Sequence, residues 1–395
     1  MITRRDVVVG LGGALLLGER AMSVETLADA QGRALIALPG KAPLIKHTFR
    51  PPNYETPLAD LRSAFTANDK FFVRYHLANI PEVDVRTWRL RVGGDSAGAA
   101  REWSLDELKR SFDTVSLVAI NQCSGNRRGL FTPRVPGVQW RHGAIGNAKW
   151  TGVRLRDVLR KAGMRGDALE VVFDGADTAP LPRTPDFVKS LPVDRALDEN
   201  TLIAFEMNGR PLPHWNGAPA RLVVPGWTAT YWVKHLTDIR IVAQAFDGFW
   251  MKSGYRVPTN AFQAARFASQ ERPDTTPITD MLVNSLVTSH VSGERLARGR
   301  PTQLRGWAWD NGAGIARVEV SQDAGRSWRP AMLDRDMGRF AWRGFHWPLD
   351  TTNAGPLAIW VRATSHGGAT QPEKLTPNPS GYHHNIIQTV LLEVV

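Results

Sequence analysis

The pattern of apolar and polar residues divides the chain into two parts of different texture. In the first part, an apolar run that ends at Ile120 changes abruptly into the polar sequence NQCSGNRRG, as a buried strand does when it ends in a tight loop. From about Asp280 onward, short β-rich segments alternate with Asp, Gly and Asn turns. Six or seven strands over roughly 115 residues predict a β-sandwich of the immunoglobulin type, without its disulfide.

The same pattern predicts individual elements. In the first part, the predicted strands are Asp69–His76, Thr87–Val92, Leu169–Phe173, Leu202–Met207, Arg221–Val224 and Trp232–Val242. Thr87–Val92 alternates as an edge strand does, and Gly143–Trp150 predicts a turn. Helices are expected at Ser104–Phe112, where Ser104 and Glu107 form a capping box, and at Leu155–Ala162. In the second part, the predicted strands are Gln303–Ala308, Ala316–Gln322, Arg339–Pro348, Leu357–Thr364 and Ile386–Val395.

The N-terminal sequence predicts export. Arg4 and Arg5 precede a continuous apolar run that ends near Leu17, too short to span a bilayer as a helix. Ala28-Asp29-Ala30 offers an A-x-A cleavage site, so residues 1–30 are interpreted as a twin-arginine-type signal that carries folded, cofactor-loaded proteins. The mature chain is therefore expected in the periplasm, without a stable membrane span.

Composition is that of a soluble globular protein, with 43% hydrophobic and 22% charged residues among 395. The formal net charge is +11, and removal of residues 1–30, with three basic and four acidic side chains, makes it +12. Such a charge attracts small anions and acidic protein surfaces. Because the basic residues are dispersed and no reader motif is present, nucleic acid is not an expected partner.

Cys123 is the only cysteine, which excludes an internal disulfide, a cysteine-based zinc site and a C-x-x-C-H haem attachment. Arg127 and Arg128 follow it closely, and a guanidinium near a thiol favours the thiolate, which binds soft metals or acts as a nucleophile. A lone cysteine is more often a small buried apolar residue, and that interpretation remains open from the loop alone. The G-x-S-x-G pattern at Gly94–Gly98 lacks a buried strand before it and predicts a hairpin loop.

Several segments together resemble the sulfite oxidase family of molybdopterin enzymes. They are FVRYH at 72–76, CSGNRRG at 123–129, Trp140 with HGAI at 142–145, FEMNG at 205–209, ARLVVPG at 220–226, WVKH at 232–235 and Lys252 with Tyr255. The matches follow the family order from about residue 45 to 275, and the C-terminal part resembles the family's dimerisation domain. The likeness is greatest to bacterial sulfite dehydrogenase catalytic subunits, which use a separate cytochrome c.

This resemblance implies an α+β fold, with a mixed, β-rich molybdopterin-binding domain over residues 31–275 and an immunoglobulin-like dimerisation domain over 280–395. It implies that the Cys123 thiolate ligates molybdenum. The residues implied to hold molybdopterin and its phosphate are Phe72, Val73, Arg74, His76, Asp177, Asn216, Arg221, Trp232, Val233 and Lys234.

The implied substrate pocket contains Arg74, Arg128 and Tyr255, with Trp140 as a wall and His76 nearby. Paired guanidinium groups suit sulfite, a compact dianion. Many family members add a third arginine from the C-terminal domain, whereas residues 378–382, NPSGY, contain none.

The resemblance thus implies oxidation of sulfite to sulfate. Electrons would pass to a c-type cytochrome, since no haem is expected in this chain, and a homodimer through the C-terminal domain is expected. Alternatives are a sulfane-sulfur dehydrogenase subunit of a thiosulfate-oxidising complex, a reductase of S-oxides, and a non-enzymatic anion-binding module.

Overall fold

The structure is a computed structural model that describes residues 28–29, 32–265, 267 and 272–395. The predicted export signal lies outside the described residues except for Ala28 and Asp29, and so remains a prediction. Within the described part of the chain, no helix is long and apolar enough to cross a membrane.

The first part of the chain forms three main sheets from short strands. Their bounds are β1 Leu35–Ile36, β2 Leu44–Thr48, β3 Asn53–Glu55, β4 Val73–Arg74, β5 Leu90–Gly93, β6 Arg101–Trp103, β7 Thr114–Gln122, β8 Ile145–Arg154, β9 Glu170–Gly175, β10 Lys189–Pro192, β11 Leu202–Met207, β12 Arg210–Pro211, β13 Arg221–Val223 and β14 Leu236–Val242. Strands β15 Arg256–Pro258 and β16 Thr275–Pro277 pair with each other.

The strand order shows how these sheets are connected. The sheets run β1-β2-β3-β4, β10-β9-β14-β5-β6 and β12-β11-β8-β7, with β13 paired to β11. The second sheet is mixed because β14 and β5 are parallel, whereas the pairs of the third sheet are antiparallel. The main core packs residues of the second and third sheets together, including Phe173, Ile239, Trp150 and Leu202. This core fixes the C-terminal end of β7, where the cysteine loop begins.

Four short α-helices and four 3₁₀-helices complete this part among the described residues. The α-helices are α1 Leu105–Ser111, α2 Leu155–Lys161, α3 Val193–Ala196 and α4 Phe249–Lys252, and the 3₁₀-helices are Leu58–Leu61, Arg128–Leu130, His214–Asn216 and Ala229–Tyr231. The predicted capping box begins α1: Ser104 accepts from the Glu107 backbone N–H, and the Glu107 carboxylate accepts from that of Ser104.

The second part of the chain is the predicted sandwich. Its strands are β17 Asn284–Val287, β18 Arg295–Leu296, β19 Thr302–Trp309, β20 Ile315–Ser321, β21 Arg329–Pro330, β22 Met332–Leu333, β23 Arg343–Leu349, β24 Gly355–Ser365 and β25 Gln388–Val394. They form one sheet in the order β17-β19-β23-β22 and another in the order β18-β25-β24-β20-β21. A separate core, with Val287, Leu304, Val318, Ile359 and Val390, lies between the two sheets.

A tryptophan-rich junction joins the sandwich to the first part. Trp307, Trp309 and Trp342 pack with Ile120 and Ile145 in one buried cluster. Each of the three indoles also donates its N–H across the junction. Trp307 donates to the Leu61 carbonyl at 2.6 Å, Trp309 to the Gln122 side-chain oxygen at 2.7 Å and Trp342 to the Ala64 carbonyl at 2.8 Å. The junction therefore combines apolar burial with directional hydrogen bonds.

The prediction of a β-rich mixed domain followed by a sandwich is confirmed, but three local predictions are wrong. The segment 87–92 does not form an edge strand, because β5 lies between β14 and β6. The predicted turn at 143–150 is mostly strand β8, and of the predicted strand 69–76 only Val73–Arg74 is extended. The loop Gly94–Gly98 does connect β5 to its antiparallel partner β6, as a hairpin loop should.

Candidate active site

Cys123 is the first residue after β7, which pairs with β8 along its entire length. Its backbone N–H donates to the Ala144 carbonyl at 2.9 Å, and its carbonyl accepts from the Asn126 N–H at 2.9 Å. Both strand and loop thus fix the backbone that carries the thiol. The side chain is 6% exposed and lines a cavity.

Ten of the predicted site residues line this cavity together. They are Phe72, Arg74, His76, Cys123, Asp177, Asn216, Arg221, Trp232, Lys234 and Tyr255. Val73 and Val233 are buried beside the cavity without lining it. The segments that contribute these residues are far apart in sequence, and the fold brings them to one place.

The far end of the cavity is strongly cationic. Arg221 is 3% exposed, and its guanidinium donates to the carbonyls of Asn216 and Trp232, both at 2.9 Å. Lys234 donates to the Arg74 carbonyl at 2.5 Å. Lys41 lies behind the lining residues and donates to the Asn216 side-chain oxygen at 2.6 Å and to two backbone carbonyls. Three cations are therefore held by neutral acceptors.

Burial lowers the pKa of each of these cations. It lowers the pKa of Lys41 to about 7 and that of Arg221 to about 9, and the pKa of Lys234 lies well below its usual value because of burial and then Arg221. Asp177, the carboxylate in this cavity, has its pKa raised to about 6 by burial, against the opposing effect of Lys234. Buried positive charge of this kind is stabilised when an anion binds beside it.

Unpartnered polar atoms show where a ligand fits. Asn121 Nδ2, Ser124 Oγ, Arg221 Nε and Thr230 Oγ1 are buried, line the cavity and have no hydrogen-bond partner among the described residues. Buried polar groups are rarely left in that state. These atoms offer donors to a polar, anionic cofactor such as molybdopterin with its phosphate, so the residues present fit this group.

The donor set also restricts how a metal could be held. Within the described ranges, no group of three or more His, Cys, Asp or Glu side chains could hold a metal ion. Cys123 supplies one soft thiolate ligand. A metal at this thiol therefore needs its remaining ligands from a cofactor, as the dithiolene of molybdopterin supplies them.

Arg74, His76 and Tyr255 form a contiguous polar group beside Cys123. A hydrogen bond joins His76 Nε2 and Tyr255 Oη, and Arg74 Nη2 lies 3.4 Å from the same oxygen. Burial, followed by Arg74, Lys234 and Lys189, holds the pKa of His76 well below its usual value. Burial likewise raises the pKa of Tyr255. At neutral pH this group therefore presents a neutral imidazole, a protonated phenol and one guanidinium.

Arg128 does not line the cavity with Arg74. Its guanidinium donates from Nε to the Ser380 carbonyl at 2.8 Å and from Nη1 to the Val138 carbonyl at 3.2 Å. It lies over the ring of Tyr382, 5.2 Å from the centroid, and that ring stacks on Tyr255 at 5.5 Å. Arg128 thus bonds to the C-terminal segment and holds it in place beside the cavity.

Two further expectations about this loop need correction. Arg127 does not face the thiol, because its guanidinium donates to the Asn284 side-chain oxygen at 2.6 Å and the Ser285 carbonyl at 2.5 Å. Trp140 is not a wall of the cavity. Its ring is fully buried, with its centroid 4.8 Å from that of His47.

Several residues in and around the site could not be recognised from the sequence. Lys41 lies in a proline-rich segment without periodicity, and Asn121, Ser124 and Thr230 carry no distinguishing pattern. Tyr382 is the most informative of them. It comes from the segment that lacks the third arginine, and its ring stacks on Tyr255. The C-terminal domain therefore contributes an aromatic residue next to the pocket.

Comparison with known proteins places this geometry in context. The family model described as oxidoreductase molybdopterin binding domain matches residues 76–250, and that described as Mo-co oxidoreductase dimerisation domain matches residues 275–394. Mitochondrial sulfite oxidase of Homo sapiens is 35% identical over 86% of this chain and 63% of its own length. Sulfite oxidase of Gallus gallus is 34% identical over 83% of this chain and 72% of its own length.

Among solved structures, the sulfane dehydrogenase SoxCD from Paracoccus pantotrophus matches with a TM-score of 0.74 and 24% identity. The match covers 98% of this chain and 96% of that one, and it shows a shared fold. The chain spans less than two thirds of the human relative's length. From the two family models, the relatives and the cysteine-centred cavity, it follows that this chain belongs to the sulfite oxidase family of molybdopterin oxidoreductases.

Proposed function

We propose that this protein oxidises sulfite to sulfate at a molybdenum–molybdopterin centre ligated by Cys123. The observation that carries the proposal is that the Cys123 thiol lines the same cavity as the Arg74 guanidinium and the Tyr255 hydroxyl. A metal bound at this thiol would lie beside groups that bind a small oxyanion. The curated relatives that are similar over most of this chain are sulfite oxidases, which supports sulfite as the substrate.

In this proposal, the cationic end of the cavity holds the cofactor. Arg221 and Lys234 neutralise the phosphate, while Thr230 and Asn216, which Lys41 holds in place, supply polar contacts. The bound cofactor supplies the two-electron oxidation chemistry. Since the protein cations are already buried and fixed by carbonyl acceptors, little reorganisation is needed when the anionic cofactor binds.

The substrate end of the cavity positions sulfite. Arg74 binds its oxygens through a planar guanidinium, and this charge-assisted contact orients the sulfur toward the Cys123 side of the cavity. The raised pKa of Tyr255 keeps the phenol protonated, so it does not repel the dianion. His76 holds the phenol in place beside Arg74 through its hydrogen bond.

The electron acceptor in this proposal is a c-type cytochrome in the periplasm. The sequence carries no C-x-x-C-H motif, and its positive charge suits an acidic docking face on the acceptor. The match of residues 275–394 to a dimerisation domain supports a homodimer through the sandwich.

Steady-state turnover of purified, molybdenum-loaded protein tests the proposal. Sulfite, thiosulfate and methionine sulfoxide are compared, the first two with ferricytochrome c as oxidant and the third with a reduced dye as donor. We expect sulfite-dependent cytochrome reduction to exceed the other activities. Absence of sulfite oxidation with every acceptor, in protein of confirmed molybdenum content, would refute it, and thiosulfate-dependent reduction alone would favour the sulfane-sulfur alternative.

A further inference from the structure

A second cavity of about 410 Å³ lies where the cysteine loop meets the sandwich. It shares no lining residue with the cavity at Cys123. Exposed Arg141 and Ser292 mark its mouth, and buried Arg127 and His384 lie deeper. This site is therefore open to solvent and distinct from the one that the proposed reaction uses.

Arg127 is the unusual feature of this second cavity. Its side chain is 1% exposed, both Nη atoms donate to neutral oxygens, and Nε has no partner. No ion pair to a carboxylate of the described residues compensates its charge. An uncompensated buried charge is costly, whereas a buried cation that meets an anion and a hydrogen-bond acceptor is stabilised.

The other polar groups around this cavity do not supply that anion. Arg33 and Arg141 add two positive charges, and the single carboxylate is Glu55. Glu55 is already engaged by His47 at 2.7 Å and by the backbone N–H groups of residues 141 and 143 at 3.0 and 2.9 Å. Arg33 is paired with Asp29 at 2.5 Å and lies 3.9 Å from Glu55. Arg127 and Arg141 are therefore the lining guanidinium groups without an ion pair among the described residues.

Two histidines add unpartnered nitrogen atoms. His142 Nδ1 and His384 Nδ1 are buried without a hydrogen-bond partner in the described part of the chain. Burial, with Arg127 next, lowers the pKa of both imidazoles, to about 3 for His384. Both rings are therefore neutral at pH 7, and a neutral imidazole can still donate one N–H to an acidic ligand. His290 also lines the cavity, but its Nδ1 is bonded to Ser289 Oγ at 2.7 Å.

Apart from Gln388 and Thr389, the rest of the wall is apolar and sets the size of the ligand. Leu58, Leu130, Val291, Ile386, Ile387 and Val390 line it. A volume of about 410 Å³ is in the range of small-molecule pockets. An inorganic oxyanion would leave most of this space empty, whereas an organic acid fills it and pairs with the cations.

We propose that this cavity binds one small organic anion per chain, with its acidic group against Arg127 and Arg141 and its apolar part against Leu130, Ile386 and Ile387. The ligand class is an organic carboxylate, sulfonate or phosphate ester. Because Arg127 also bonds to Asn284 and Ser285, the ligand contacts a residue that ties the cysteine loop to the sandwich. The site is independent of the proposed reaction and does not require it.

Isothermal titration of the molybdenum-loaded protein with 4-bromobenzenesulfonate tests the site. We expect saturable binding, no binding of neutral bromobenzene, and much weaker binding of sulfate. Arg141→Gln removes an exposed charge at the mouth without disturbing the buried guanidinium, so it should fold and bind the probe about tenfold more weakly. Arg101→Gln, an exposed charge on β6, is the matched control and should leave binding unchanged.

Anomalous diffraction from bromine then places the probe. The Cys123 cavity is also cationic, so binding in solution alone does not identify the site. A bromine peak between Leu130 and Ile387, with or without a second peak near Cys123, supports the proposal. A peak only near Cys123 or only on the outer surface overturns it, as does equal probe affinity in Arg141→Gln and wild type.

Discussion

Arg74 and Arg128 should have opposite roles despite their shared chemistry, and this contrast gives a sharp prediction. Arg74 lines the Cys123 cavity, whereas Arg128 donates two hydrogen bonds to the Ser380 and Val138 carbonyls. Arg128→Met removes both bonds and the buried charge. Arg74→Gln removes a guanidinium from the substrate end of the cavity.

The magnitudes follow from these contacts. A hydrogen bond to a charged group contributes about 1.5–3 kcal/mol, and because the two bonds of Arg128 are not additive, we expect Arg128→Met to destabilise the protein by about 3 kcal/mol. This corresponds to a fall of roughly 6–12 °C in Tm for a domain of about 250 residues. The loss of kcat/KM in the folded variant should be small, about threefold, since Arg128 does not line the cavity and acts on it indirectly, through Tyr382 and through its charge near Tyr255.

Arg74→Gln should show the reverse behaviour. Loss of a charge-assisted contact to sulfite lowers kcat/KM by about 10–100-fold, with a change in Tm of no more than a few degrees. Thermal melting and steady-state kinetics are measured on the same molybdenum-loaded preparations. Arg134→Met, an exposed arginine in the following loop, controls for loss of charge.

Two results would refute this reasoning. If Arg128→Met has the Tm of the wild type and loses about a hundredfold in kcat/KM, the Arg128 guanidinium faces the substrate rather than the C-terminal segment. If both variants lose activity equally at unchanged Tm, the two arginines act together on sulfite.

Three further predictions address the cofactor, the acceptor and stability. Cys123→Ser should abolish sulfite turnover while the protein keeps its fold and most of its pterin, because a hydroxyl is a harder and less acidic ligand; full activity at confirmed molybdenum content would contradict this. Electron transfer to cytochrome c should slow as ionic strength rises, while the rate at which sulfite reduces the molybdenum centre changes little. The purified protein should show no haem, flavin or iron–sulfur absorption, and a stoichiometric second redox centre would contradict an external acceptor. Burial, then Asp186 and Asp177, raise the pKa of Asp174 to about 7. The folded state therefore binds an extra proton between about pH 4 and 7, and stability is lost as pH rises through that window. At pH 8, Asp174→Asn should have a free energy of unfolding about 1 kcal/mol higher than wild type, after allowance for the partial exposure of the carboxylate; at pH 4 the two proteins should be equally stable. The same difference at both pH values would exclude this carboxylate as the cause.

The architecture could be predicted well because the spacing of apolar residues indicates which faces of an element are buried. Two local patterns, however, have another cause than the one predicted. Alternation along β5 arises because one face of its sheet is exposed, and a central strand shows this as readily as an edge strand. The segment Gly143–Trp150 suggested a turn, yet most of it lies in β8, where a Cβ atom on Gly146 would come within 2.4 Å of the Phe71 ring. Glycine at this position allows β8 to pack closely against Phe71, a residue 75 positions away in the sequence.

Side-chain direction in the cysteine loop could not be predicted from its sequence. Arg128 passes Gly125, Gly137 and Gly381, where an added Cβ would lie 2.5–2.8 Å from its side-chain atoms. These glycines belong to three separate segments, so their convergence requires the folded chain. Ten of the residues named by the resemblance line one cavity, whereas Lys41 and Tyr382, which lie next to it, are recognised only from the three-dimensional arrangement.

The tryptophan junction has a consequence for how this protein can be recombined with its relatives. Trp309 donates to Gln122, the residue directly before the cysteine, while Trp307 and Trp342 donate to carbonyls in the segment 61–64. A chimera whose sandwich lacks these indoles would leave buried acceptors unmatched next to the cysteine loop. The two domains should therefore be exchanged together, or the exchanged sandwich must keep the three indoles that donate to Leu61, Ala64 and Gln122.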